Sequence, residues 1–133
     1  DITITADKEW ADLWKLRFEN PLDDAETFKS DGEKLIEIGG KTQDISEIEA
    51  QYMGLIKLSE KGWEVMFELF ESLSDIQKDK MDMTSMLNLL LSKGVKINIV
   101  FVEGGWCEAD EYSDILAYEK EMKNNLHWKH DWR

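Results

Sequence analysis

The chain has one cysteine, one proline and two histidines in 133 residues. A lone thiol, Cys107, makes no intrachain disulfide, which suits a reducing compartment and sets a cytoplasmic expectation. No proline- or glycine-rich linker, repeat or low-complexity tract divides the sequence, so one domain is expected. No apolar stretch is long enough to span a bilayer, and no signal-peptide pattern is visible. Basic residues are scarce, 16 against 29 acidic ones, for a net charge of −13. That balance excludes a nucleic-acid partner, which needs a basic footprint, and argues against an anionic membrane surface. Phosphate chemistry stays open through a bound cation, whose charge inverts the local logic. Both histidines, His127 and His130, lie in the tail, and no Ser-His-Asp or Cys-His pattern emerges.

What is present is enough apolar content, 42%, for a real core. Residues 1–6 alternate as a strand, and Asp7 is placed to cap a helix from Lys8 to Phe18 that Pro21 stops. Residues 27–29 and 34–38 form a hairpin across Ser30-Asp31-Gly32-Glu33. Asp44 caps a helical turn, and residues 51–58 make a strand with Gly54 inside it, where a ligand or backbone approaches closely. An amphipathic helix over 61–73 carries Trp63, Met66, Phe67 and Phe70 as core. A charged connector over 75–80 leads to a helix over 85–93, with Thr84 as its cap and Gly94 at its end. A last helix spans 111–123, and the tail from Asn124 reads as surface. This order predicts an α/β fold, a Rossmann-like, mixed but mainly parallel sheet flanked by helices.

The most informative stretch is Ile97–Asp110. Its first half is a β-branched apolar run, the pattern of a strand buried on both faces and of the most buried strand in the sheet. It breaks at Gly104-Gly105 and then presents Trp106, Glu108 and Asp110, which share a face if the backbone stays extended. Two carboxylates so spaced at a strand end suit a hard divalent cation. On spacing alone the commoner role of such a pair is a solvated turn, with Asp110 capping the helix from Glu111.

The run Gly-Trp-Cys-Glu-Ala-Asp-Glu-Tyr-Ser-Asp-Ile resembles the C-terminal metal motif of nucleotidyltransferases of the phosphocholine and phosphonate cytidylyltransferase type. Arg17-Phe-Glu-Asn-Pro-Leu-Asp-Asp-Ala-Glu-Thr-Phe is similar to a segment of those fused to phosphoenolpyruvate mutase-like domains. Glu47-Ile-Glu-Ala-Gln-Tyr-Met-Gly-Leu-Ile is similar to the strand that floors their acceptor pocket. Leu35-Ile-Glu-Ile-Gly-Gly-Lys is a diverged form of their Glu-Lys-Pro segment, with Thr42 where proline would stand.

The resemblance implies an Mg²⁺-dependent enzyme moving a nucleotidyl group, from CTP by expectation, to phosphocholine, a phosphonate or a similar acceptor. Asp110 and Glu108 then hold Mg²⁺, and Trp106, Tyr52, Gly54, Glu49, Lys41 and Arg17 are candidate substrate contacts. The acid surplus suits a choline-like or aminoalkyl acceptor, its cation held over Trp106 or Tyr52 and by Glu49 or Glu108. A sugar-1-phosphate acceptor, or a non-catalytic acidic interaction module, is the alternative. The family's glycine-rich nucleotide loop and its other metal Asp have no counterpart here. The expectation is therefore the acceptor- and metal-binding C-terminal half of a domain, inactive alone and open to self-association along an uncovered sheet edge.

Overall fold

The computed structural model describes residues 1–133. Strand β1 (Ile2–Asp7) leads into helix α1 (Trp10–Arg17) and a 3₁₀ turn at Pro21–Asp23. Strands β2 (Phe28–Asp31) and β3 (Lys34–Ile38) form the hairpin, and a 3₁₀ turn at Ile45–Glu47 precedes β4 (Gln51–Leu58). Helices α2 (Glu60–Glu71), α3 (Asp75–Asp79) and α4 (Met83–Ser92) lead to β5 (Ile97–Val102) and α5 (Tyr112–Asn124).

The five strands form one sheet in the order β2-β3-β5-β1-β4. The α/β class, the mixed sheet and the flanking helices are those read from the sequence. The balance of directions differs: β1–β5 is the one parallel pair, and β1–β4, β2–β3 and β3–β5 are antiparallel. Only the β1-to-β5 connection places helical crossover segments between neighbouring parallel strands, whereas the hairpin closes locally and β4 returns along β1.

The core forms on one face. Ile2, Ile4 and Ala6 align with Ile97, Ile99 and Phe101 and pack under Met66 of α2 and Met86, Leu87 and Leu90 of α4. The most buried strand is β1, not β5: Val100 is 52% exposed while Ile97 and Ile99 are sealed. An apolar run is buried on both faces only when both faces are covered, and here the face bearing Val100 is open. Helix α2 departs in the same way. Met66 is buried, but Trp63 and Phe67 stack on each other at the surface, centroids 5.8 Å apart.

A second apolar cluster joins α1, α5 and the tail: Trp10, Leu13, Trp14, Ala25, Ile48, Tyr118, Met122 and Trp128. The tail is thus structural. Trp128 is 7% exposed and His130 fully buried, against the surface reading, because Trp128 packs on Tyr118 and His130 sits between Trp128 and the Asp7 carboxylate that ends β1. Several caps also shift. Asp7 is a buried strand end and Glu9 stands at the α1 N-cap; Asp82, not Thr84, caps α4 through Ser85. The charged connector over 75–80 is helical because Ser74 and Gln77 form a capping box.

Candidate functional site

Strands β1 and β5 run parallel, and both deliver their carboxyl ends to the same place. There Asp7, completely buried, ties the segment after β5 to β1. Its Oδ1 accepts from Gly104 N at 2.8 Å and Glu9 N at 3.0 Å, and its Oδ2 accepts from Trp106 Nε1 at 3.0 Å. The tail closes over this turn: Gly105 N donates to Lys129 O at 2.8 Å. His130 Nδ1 lies 2.9 Å from Trp106 O, and its Nε2 3.2 Å from Glu9 O.

Gly104 is at φ +78°, and a Cβ there would sit 2.5 Å from Lys129 O; Gly105, at φ +77°, has open space around it. Gly105→Ala should cost about 1 kcal/mol, from backbone conformation alone. Gly104→Ala adds a backbone clash, for about 2–4 kcal/mol in total. Urea unfolding of the two variants checks the difference.

Beyond the turn, residues 103–111 are irregular rather than extended. Trp106, Glu108 and Asp110 therefore do not point the same way. Trp106 turns to Asp7, while Glu108 and Asp110 converge on Arg17 from α1. The Arg17 side chain is 2% exposed. Its Nη1 lies 3.5 Å from Glu108, its Nε 3.3 Å from Asp114, and its Nη2 donates to Asp110. The guanidinium is held between the rings of Trp14 and Phe18, at 5.3 and 4.9 Å from their centroids. Burial works to lower its pKa, but Tyr118, Asp110, Asp114 and Glu108 outweigh it and hold the pKa raised. Burial foremost, with Asp110, Asp24 and Asp114 nearby, lifts the Glu108 carboxyl against the opposing pull of Arg17.

The cap of α5 is Glu111, boxed with Asp114, so the alternative of Asp110 as the cap does not hold. Asp114 is the member that the sequence reading missed. It accepts from Asp110 N at 3.0 Å and Glu111 N at 3.2 Å, and its position three after Glu111 was the available signal.

A cavity of about 260 Å³ adjoins this cluster. Glu108, Tyr52 and Gly54 all line it, so three of the candidates share one space. Gly54, at φ +76°, lies where the β1–β4 register shifts. The other lining residues are Trp14, Asp24, Glu26, Thr27, Phe28, Ile38, Gln51 and Thr84. Every charged group on this wall is a carboxylate. Burial, the main cause, raises the Glu26 pKa, with Lys41 opposing. The Tyr52 hydroxyl is buried without a partner. Two candidates do not line it: Glu49 accepts from Ser30 N at 2.9 Å and Oγ at 2.5 Å, and Lys41 lies just behind the wall, its Nζ donating to Asp24 O at 2.7 Å and its charge acting on Glu26.

Cys107 is half-buried, its thiol pushed up to about 11, chiefly by burial. At pH 8 it should react with iodoacetamide about 100-fold more slowly than a free thiol, because the thiolate is the nucleophile. Mass spectrometry of timed alkylation, with urea-unfolded protein as the control, measures this.

Magnesium prefers oxygen ligands and takes one or two protein carboxylates, with phosphates and waters completing its shell. Glu108 and Asp110 match that donor set, and Asp110 Oδ1 has no protein partner. No group of three or more His, Cys, Asp or Glu side chains is placed to hold a metal ion together.

The fold and the site together define an α/β protein with an acidic cavity and a carboxylate–arginine cluster where its parallel strands end. Among curated proteins, CTP:phosphoglutamine cytidylyltransferase of Campylobacter jejuni subsp. jejuni serotype O:2 is 41% identical over 121 residues, covering 86% of this chain and 48% of that protein. The likeness relates the chain to a cytidylyltransferase, and the chain spans about half the length of this relative. No family model and no solved structure matches it. No helix is long and apolar enough to cross a membrane.

Proposed function

We propose that the chain is the acceptor- and metal-binding half of an enzyme that transfers a cytidylyl group from CTP to a small phosphorylated acceptor carrying a cationic nitrogen. Supporting this reading is the cavity, which joins three carboxylates and three aromatic rings with no basic side chain and opens beside Glu108. An ammonium is the ligand chemistry that fits such a wall. The likeness to a phosphoglutamine-dependent relative favours an amino-acid-derived acceptor over phosphocholine or a phosphonate. A sugar-1-phosphate offers no cation to Glu26 and Asp24 and is the weaker candidate.

In this reading the acceptor's nitrogen end enters the cavity and its phosphate end faces Asp110. An acceptor phosphate oxygen attacks the α-phosphorus of CTP, and pyrophosphate leaves. Held by Glu108 and Asp110, Mg²⁺ would supply neutralisation of the triphosphate charge. The chain's own part is positioning: Gly54 and Tyr52 shape the floor, Glu26 and Asp24 fix the cation, and Arg17 and Asp114 set the carboxylates. We assign the nucleotide-holding groups to the part of the relative's length that this chain does not span.

The test is a variant that alters the wall without touching the cluster. Glu26→Gln should raise KM for an amine-bearing acceptor about ten-fold or more with kcat nearly kept, since a charge-assisted hydrogen bond contributes about 1.5–3 kcal/mol. Initial rates of pyrophosphate release against acceptor concentration measure it. An unchanged KM would remove the cation from this cavity.

A further inference from the structure

Arg17 sits among Glu108, Asp110 and Asp114, so one cation faces three carboxylates and the cluster keeps a formal surplus of two negative charges. Its side chain is 2% exposed, and its Nε and Nη1 have no hydrogen-bond partner although both are buried. Only Nη2 is hydrogen-bonded, to Asp110. The pairing with Glu108 and Asp114 is therefore one of charge without aligned donors. A second cation can draw on Glu108 without breaking a directional bond. Asp114 is committed elsewhere, to the backbone of Asp110 and Glu111. That leaves Glu108 and Asp110 as the adjustable pair.

We propose that Arg17 is the resident counter-ion of this cluster, a positioning residue that competes with a divalent cation for Glu108 and Asp110. This rests on the metal reading above and adds a regulation to it. With Arg17 in place the loop stays assembled when no cation is bound. The guanidinium also repels an incoming divalent ion, so the site holds a free cation weakly. It fills when the cation arrives already paired with triphosphate, whose negative charge offsets Arg17. Loading of the metal is thereby tied to loading of the nucleotide. A unit charge opposing a divalent ion across about 5 Å of solvent-like medium changes affinity about ten-fold.

The experiment is Mn²⁺ binding to this chain by isothermal titration calorimetry, without nucleotide, comparing the unaltered protein with Arg17→Met, Arg17→Lys and Asp110→Asn. Arg17→Met should bind Mn²⁺ about ten-fold more tightly than the unaltered chain, and Arg17→Lys, which keeps the charge, within about three-fold of it. Asp110→Asn should lose most of the affinity. A second measurement needs no variant at position 17: the Arg17 Nε–H resonance of the unaltered chain should shift along the Mg²⁺ binding isotherm. If Arg17→Met binds no more tightly, or the Arg17 resonance stays fixed while the cation binds, Arg17 is not the competing counter-ion, although the metal reading survives. If neither the unaltered chain nor Arg17→Met binds Mn²⁺ at all, the metal reading fails and the proposal fails with it.

Discussion

Asparagine at position 110 should lower turnover by at least 100-fold in the protein that carries this chain, while its folding stability falls by less than about 1 kcal/mol. The two halves of that expectation have separate causes. Asp110 is 68% exposed, and its ion pair with Arg17 is largely bathed in solvent on the aspartate side. Such pairs contribute little to stability. Helix α5 keeps its cap, which is Glu111 boxed with Asp114. Asparagine nearly matches the shape of aspartate and loses only the charge. A loss of turnover with retained Tm would therefore locate the role of Asp110 in the reaction. Initial rates at saturating CTP and Mg²⁺, together with thermal unfolding of the same preparation, give both numbers. Near-normal turnover would leave Asp110 as a surface partner of Arg17 and nothing more.

Alanine at position 7 should have the opposite profile, a large loss of stability. Asp7 is completely buried and accepts from Gly104 N, Glu9 N and Trp106 Nε1, with His130 Nδ1 3.7 Å away. Truncation leaves three donors on half-buried residues without their acceptor and opens a void between β1 and the tail. Removing one partner from a buried polar network of this kind costs about 3–5 kcal/mol. Near the size of this chain that lowers Tm by about 10–18 °C. The damage should be local first: tryptophan fluorescence from Trp106 and Trp128 should redden before the main core, which is built on α2 and α4, unfolds. A Tm within 2–3 °C of the unaltered protein would show that the turn after β5 is held by the tail alone.

The contrast between Asp110 and Asp7 also shows what a sequence discloses. Alternation in residues 1–6, the hairpin's turn residues, the cap at Asp44 and the helix over 61–73 are local signals, and each element formed near its expected place. Burial of β5 on one face was not legible, because it depends on which helices cover the sheet. Asp7 reads as a helix cap by its neighbours and becomes a network hub only when residues 104, 106 and 130 arrive from far along the chain.

The site divides along the same line. Glu108, Tyr52 and Gly54 line one cavity, while Trp106 and Glu49, expected beside them, do not, and Asp24 and Glu26 on the same wall looked like loop acids. The common face expected for Trp106, Glu108 and Asp110 failed because the segment is irregular and Asp7 captures the indole. Arg17 was legible only as a member of a similar segment. Its burial among three carboxylates depends on α1 packing beside α5.

If the cavity and its neighbouring cluster serve cytidylyl transfer as proposed, the reaction itself should show it. The most direct measurement is pyrophosphate release by the protein that carries this chain, supplied with Mg²⁺, CTP and one phosphorylated acceptor at a time: phosphoglutamine, phosphocholine, an aminoalkylphosphonate or a sugar-1-phosphate. Release and a cytidylylated product are expected with the nitrogen-bearing acceptors, and with phosphoglutamine foremost. Release only with the sugar-1-phosphate, or none with any acceptor from folded protein, would contradict that proposal.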